Sequence, residues 1–168
     1  MIDLYTWTTP NGRKASILLE ELGVPYEVHA IDITKDEQFA PAFLKISPNN
    51  RIPAIVDHDS GVSLMESGAI MMYLAQQHDR FMGEGEEFYR VVEWLMWQMG
   101  GFGPMLGQAH HFLQFNAGVS DYAEKRYGTE AQRLYGVLNT RLEGRDFIAG
   151  AGRGEYTIAD MACWPVLL

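Results

Sequence analysis

Hydrophobic and polar positions change rhythm repeatedly along the chain, and each change marks an element. Ile2 to Trp7 alternates with the two-residue period of a strand. Ala15, Leu18, Leu19 and Leu22 then fall on one face of a helix. Thr9 is suited to its N-cap, Pro10 to its first position and Gly23 to its C-terminal stop. Tyr26 to Ile33 returns to strand character, so a helix connects two strands in a right-handed βαβ unit. A polar connection, Thr34 to Gln38, leads to a short helical or irregular segment around Phe43 and Leu44. Two short strands follow, Ala54 to Asp57 and Val62 to Met65, joined by Asp59-Ser60-Gly61. Ala69, Ile70, Tyr73 and Leu74 mark a helix directly after them.

Beyond His78 no strand pattern recurs. The acidic, glycine-spaced run Glu84 to Glu87 reads as a boundary. Phe88, Val91, Val92, Leu95, Met96 and Met99 keep helical spacing, with Trp94 and Trp97 on a neighbouring face. Gly100-Gly101-Phe102-Gly103-Pro104 is expected to kink or interrupt that helix. A second long helix is predicted from Asp121 to Leu142, with Tyr127, Leu134, Val137, Leu138 and Leu142 inward, and Gly150 to Gly154 is a loop. Thr157-Ile158-Ala159-Asp160 has the form of a capping box, flanked by Tyr156 and Met161 at the positions of a hydrophobic staple. Such a start predicts a long buried helix, yet only Ile158 to Leu168 follows, so the C-terminus reads as truncated. The order β-α-β-α-β-β-α, with a proline before the third strand, is that of a thioredoxin-like α/β domain. The expected organisation is such a domain over residues 1–80 and an all-α domain, incomplete, over 86–168.

Composition narrows the classes. At 168 residues, with 47% apolar and 12% aromatic residues, the chain can bury a real core. A formal net charge of −9 argues against nucleic acid or an anionic membrane as partner, though not against a local site for a small anion. No apolar run approaches the roughly 18 residues of a membrane helix. The first residues lack the basic and apolar regions of a secretory leader, and the single cysteine admits no internal disulfide. A cytoplasmic protein is the simplest expectation.

Candidate chemistry gathers between Ser47 and Ala75. Ile52-Pro53 sits at the lip of a strand, where proline removes a ladder donor and the bond can be cis. Glu66-Ser67 stands where the chain enters a helix, so a carboxylate, a hydroxyl and free backbone amides converge on a place suited to anions. Together they suggest a pocket for a short peptide with a free carboxylate. His110 and His111 are adjacent and would point about 100° apart on a helix, so they cannot chelate one metal together; a cleft wall or a packed face suits them better. Cys163 follows the capping box and reads as a small inert core residue.

With these residues in hand, the chain resembles the glutathione transferase family. Ile52-Pro53 and Glu66-Ser67-Gly68-Ala69-Ile70 are similar to its proline loop and its glutathione site, and Thr157 to Asp160 to its buried helical-domain capping box. Thr9-Pro10-Asn11-Gly12, Ser47-Pro48-Asn49-Asn50 and Gly100 to Gln108 resemble bacterial Nu-class members, glutathione-dependent disulfide-bond oxidoreductases. The resemblance implies catalytic roles for Thr9 and Asn11 beside the glutathione sulfur. It also implies glutathione contacts from Asn11, Gln38, Arg51, Ile52, Pro53, Glu66, Ser67 and Arg126. Neither Thr9 nor Asn11 is a nucleophile, so the reacting thiolate would come from glutathione, the co-substrate; no metal is implied. Ile52 would pair through its backbone with the cysteinyl unit, Gln38 and Arg51 would hold the glycyl carboxylate, and Glu66 and Ser67 the γ-glutamyl ammonium and carboxylate. Blander readings stand beside these: Thr9 a simple cap, Asn11 a turn residue, Gln38 solvated, Ser67 an N-cap, Arg126 an i,i+4 partner of Glu130. The expected activity is reduction of small disulfides by thiol–disulfide exchange, in a homodimer that takes glutathione or glutathione disulfide and a small disulfide or electrophile. Conjugation, peroxide reduction and a non-catalytic binding module are the alternatives.

Overall fold

The computed structural model describes residues 1–167. The chain forms two compact units, Met1–Arg80 and a second beginning at Phe81.

The first unit is a four-stranded sheet with helices. Strand β1 (Ile2–Thr6) lies at its centre, parallel to β2 (Tyr26–Ala30) and antiparallel to β3 (Ala54–Asp57), which in turn pairs antiparallel with β4 (Val62–Met65). The order β2-β1-β3-β4 is thioredoxin-like. Helix α1 (Pro10–Leu22) links the two parallel strands, and α3 (Ser67–Gln77) packs against it; α2 (Pro41–Leu44) is a single turn between β2 and β3. One face of β1 turns inward through Ile2 and Leu4, which meet Leu18 and Leu19 of α1 and Ile70, Met71 and Leu74 of α3 in a sealed core.

The termini of α1 follow its local chemistry. Thr9 is extended and its Oγ1 accepts the Gly12 N–H at 3.1 Å, while Gly23 takes the left-handed conformation (φ 70°) and closes the helix.

Two expectations for this unit need correction. Strand β2 ends at Ala30 instead of Ile33, because Asp32 turns the chain. Its carboxylate accepts the Thr34 N–H (3.0 Å) and hydroxyl (2.6 Å) and pairs with Lys35 at 3.0 Å, starting a 3₁₀ turn, Ile33–Lys35. On α3, Ala69 faces outward and Tyr73 is half-buried, while Ser67, Met71 and Ala75 join Ile70 and Leu74 on the buried face.

The second unit is helical. Helix α4 (Glu86–Trp97) buries Val91 and Leu95 but leaves Met96, expected inward, 47% exposed. The stripe instead continues through Gln98 and Phe102, four and three residues apart in alternation. At Gly100-Gly101 the α pattern is interrupted not by a loop but by π-helical bonding over Gln98–Phe102, after which α5 (Gly103–His110) resumes with Pro104 in its first turn. A second π segment, His111–Phe115, ends this run. Helix α6 (Asp121–Leu142) starts at Ser120, whose hydroxyl accepts the Ala123 N–H. It buries Leu134 and Leu138, whereas Tyr127, Val137 and Leu142 are only half-buried. Trp97 stacks on Phe102 at 4.8 Å and meets Trp94 edge-on at 5.1 Å.

Helix α7 (Ile158–Cys163) opens on the expected capping box and is buried along nearly its whole length. Tyr156 lays its ring against Phe81 and Phe147. The α pattern ends at Cys163 and tightens into a 3₁₀ turn, Trp164–Val166, where Pro165 has no N–H to give. Leu168, the last residue of the expected helix, lies outside the described residues. Among the described residues no helix is long and apolar enough to cross a membrane.

Candidate functional site

Strand register brings the candidate residues of the first unit to one end of its sheet. Tyr5 pairs with Ala54 and Ala54 with Met65, so the chain leaving β1 toward Thr9, the chain entering β3 through Ile52-Pro53 and the chain leaving β4 into Glu66-Ser67 share that end. Thr6 pairs with Ala30, so the loop after β2, which carries Gln38, departs from the same end.

At the start of α1 the backbone turns sharply: the Thr9 N–H donates to Trp7 O at 2.7 Å. A Cβ on Gly12 would stand 2.4 Å from both Thr6 Oγ1 and Trp7 O, so only glycine fits there. Thr9 does cap the helix, but the cap occupies one lone pair of its hydroxyl and leaves the O–H proton to donate elsewhere. The Asn11 side chain is exposed and makes no hydrogen bond among the described residues. A hydroxyl donor and a carboxamide thus stand at a helix N-terminus, a setting that favours a thiolate.

The loop before β3 is tied by Ser47, fully buried, whose hydroxyl donates to Arg51 O at 2.7 Å and accepts the Arg51 N–H at 3.4 Å. The Arg51 guanidinium is left exposed without an ion pair among the described residues. Ile52–Pro53 is a cis peptide, and Ile52 makes no backbone–backbone bond among the described residues, so its N–H and C=O present a strand edge.

Glu66, not Ser67, occupies the cap position of α3, which corrects the simple reading of Ser67 as an N-cap; Ser67 is the first helical residue and is buried. Glu66 holds a left-handed backbone (φ 72°, ψ 115°), costly for a side chain with a Cβ. Its side chain does not cap the helix. Instead Oε1 accepts from Asn49 Nδ2 at 3.4 Å. Gly68 and Ala69 amides have no backbone partner among the described residues, so the helix start keeps its capacity for an anion. Asn49 was not among the expected site residues; its position in the Ser47-Pro48-Asn49-Asn50 turn was the available signal.

Gln38 overturns its solvated reading. It sits in a 3₁₀ turn, Glu37–Phe39, only 8% exposed, with Nε2 donating to Asp36 Oδ1 at 3.4 Å and Oε1 buried without a partner. A buried amide oxygen left unmatched is costly.

Arg126 lies on α6, on an exposed turn beside a cleft of about 670 Å³ lined by Met105, Tyr122 and Tyr127. Its expected partner Glu130 binds Arg133 instead, at 2.7 and 2.8 Å, which also holds that carboxyl below its usual range. His110 and His111 are both exposed, one ring edge-on to Phe115 and the other to Phe112, rather than packed. Cys163 is buried at 2% exposure.

A thioredoxin-like domain, a cis-proline strand lip and an uncapped glutamate–serine helix start define a protein class, and the comparisons agree. Residues 1–76 match the family model described as the glutathione S-transferase N-terminal domain. The disulfide-bond oxidoreductase YfcG of Escherichia coli K12 is 51% identical over 98% of this chain and 78% of its own length. YghU of the same organism, also a disulfide-bond oxidoreductase, is 38% identical over 98% of this chain, which spans only 59% of it. A glutathione transferase from Pseudomonas putida, solved with one glutathione disulfide per subunit, superposes with a TM-score of 0.91 at 42% identity, over 99% of this chain and 74% of its own. The chain belongs to the glutathione transferase family, a family of enzymes.

Proposed function

We propose that this protein reduces small disulfides by glutathione-dependent thiol–disulfide exchange. Glutathione lies across the end of the sheet in this reading. Its γ-glutamyl carboxylate meets Ser67 and the first amides of α3, and its ammonium meets Glu66, oriented by Asn49. The cysteinyl unit pairs with the Ile52 backbone beside Pro53, and Gln38 and Arg51 take the glycyl end. Thr9 O–H and the Asn11 carboxamide donate to the sulfur, favouring its thiolate. That thiolate attacks one sulfur of a disulfide RS–SR, forming GS–SR and expelling RS⁻. A second glutathione thiolate attacks the mixed disulfide, giving glutathione disulfide and the second RS⁻. Each thiolate released takes a proton from water, and two glutathiones are oxidised for each disulfide reduced. Arg126 is assigned a contact with glutathione, and the working form is taken to be a homodimer.

The observation that carries this reading is the convergence at one sheet end of the Thr9 helix start, the cis Ile52–Pro53 lip and the Glu66-Ser67 entry into α3. The names of the relatives and the disulfide in the Pseudomonas putida structure support the redox activity over conjugation. The test is turnover of 2-hydroxyethyl disulfide beside an aryl halide, with retention on immobilised glutathione. Disulfide reduction well above conjugation is expected. Retention without either activity would make the chain a binding module instead.

A further inference from the structure

The outer face of the first unit's sheet carries a cluster that glutathione chemistry does not use. In the parallel β1–β2 pair, Asp3 stands directly opposite Glu27, and Tyr5 opposite His29. Alternation along each strand puts all four on the face away from Ile2 and Leu4. Two carboxylates facing each other across neighbouring strands repel. Neither forms an ion pair with lysine or arginine among the described residues.

Nitrogen donors complete the arrangement. His29 Nε2 is shielded from solvent and has no hydrogen-bond partner, although Asp3 Oδ1 lies 3.3 Å away, out of line with it. The ring is held in place by stacking on Tyr5 at 4.7 Å and 17° between planes, and Tyr5 leans on Phe43. One oxygen of Asp3, one of Glu27 and His29 Nε2 all lie within 4.8 Å of one another. His58, just past β3, bonds the other Asp3 oxygen through Nε2 at 2.8 Å. That bond orients the Asp3 carboxylate.

We propose that Asp3, Glu27 and His29 form a binding site for a divalent transition-metal ion of the zinc type, with His58 orienting Asp3. One imidazole and two carboxylates are a donor set such an ion takes readily, with bonds near 2.0–2.2 Å. Donors around it stand about 3.4 Å apart, so modest side-chain rotations close the site. Glu27 is exposed, which leaves a coordination position for water. The ion would convert a repulsive pair into a clamp joining β1 and β2. Asp3 lies at the start of β1 and Thr9 beyond its end, so this site is separate from the glutathione seat. Glu27 and His29 stand two apart in β2, a spacing legible in sequence only once β1 is known to lie beside them.

The test uses the untagged full chain and zinc chloride, read by calorimetry and by competition with a chromophoric chelator. One Zn²⁺ per chain is expected, with the melting temperature rising by several degrees in excess zinc. His29→Gln and Glu27→Gln should each lower zinc affinity at least tenfold and remove the thermal shift. His58→Gln, which leaves all three ligands, should lower affinity about 10–100-fold. A double variant His110→Gln/His111→Gln should bind as the parent does. Unchanged affinity in His29→Gln, loss of binding in the His110/His111 variant, or no saturable binding below about 1 mM would each overturn the proposal. Should Glu27→Gln fail to fold, His29→Gln decides the matter alone.

Discussion

Two helix starts in this chain solve the same problem in opposite ways. Helix α7 closes its own account: Thr157, extended and buried, accepts the Ala159 N–H on its hydroxyl oxygen at 3.3 Å, and Asp160 accepts the Thr157 N–H at 2.9 Å and hydroxyl at 3.1 Å. The second Asp160 oxygen accepts the Ile148 N–H at 2.8 Å, so one carboxylate ties a loop to a helix. Helix α3 leaves its start open. Glu66 is left-handed, caps nothing and reaches sideways to Asn49. A helix end satisfied by its own side chains is fastened; one whose Gly68 and Ala69 amides find no backbone partner among the described residues is suited to receive something else. The difference separates structural from functional use of the same backbone geometry, and it can be broken by substitution at either end.

The largest effect should come from α7. Asp160→Ala strands the Thr157 and Ile148 amides, buried groups whose unmet bonds cost about 1–3 kcal/mol each. A loss of roughly 3 kcal/mol corresponds to a fall of about 6–12 °C in melting temperature for a chain of this size. A calorimetric scan that moves by less than 2 °C would show that the carboxylate fastens nothing. At α3, Ser67→Ala should weaken glutathione binding tenfold or more, since one charge-assisted hydrogen bond is worth about 1.5–3 kcal/mol. Calorimetry with unchanged affinity would falsify the anion seat. Smaller again is the contrast between Asn11→Ala and Cys163→Ala. The first should lower disulfide turnover severalfold, while the second leaves turnover intact; a folded but inactive Cys163 variant would sink the glutathione-only chemistry.

The smallest effect is a difference in titration. Burial pushes the Asp160 carboxyl above its ordinary value, whereas the hydrogen bond from Arg153 holds exposed Asp146 below it. The signs of the two linkages are opposite. For Asp160, whose folded value is raised, the stabilising share is fully present below the unfolded value and is lost as pH rises through the folded one. For Asp146 it is present above the unfolded value and lost as pH falls through the folded one. Carboxyl carbon resonances followed by NMR should show Asp160 protonating first on acidification, and the reverse order would mean that its hydrogen bonds outweigh its burial.

The sequence by itself determined whatever neighbours along the chain decide. The caps at Thr9, Gly23 and Thr157 were legible because their partners lie within a few residues, and strands β3 and β4 and helix α6 fell where period and turn residues put them. Elements overran where a side chain intervened: Asp32 bends the chain out of β2, and Pro165 tightens the end of α7. Faces slipped where packing chose among similar residues, as when Met71 was buried in preference to Ala69 and Gln98 with Phe102 in preference to Met96. Only the tertiary structure decided that Gln38 would be sealed from water with an oxygen unspent, that Asn49 would reach Glu66 across 17 residues, and that Asp3 would face Glu27. Those relations join residues far apart in the chain. Strand register and burial create them, and no local propensity encodes either.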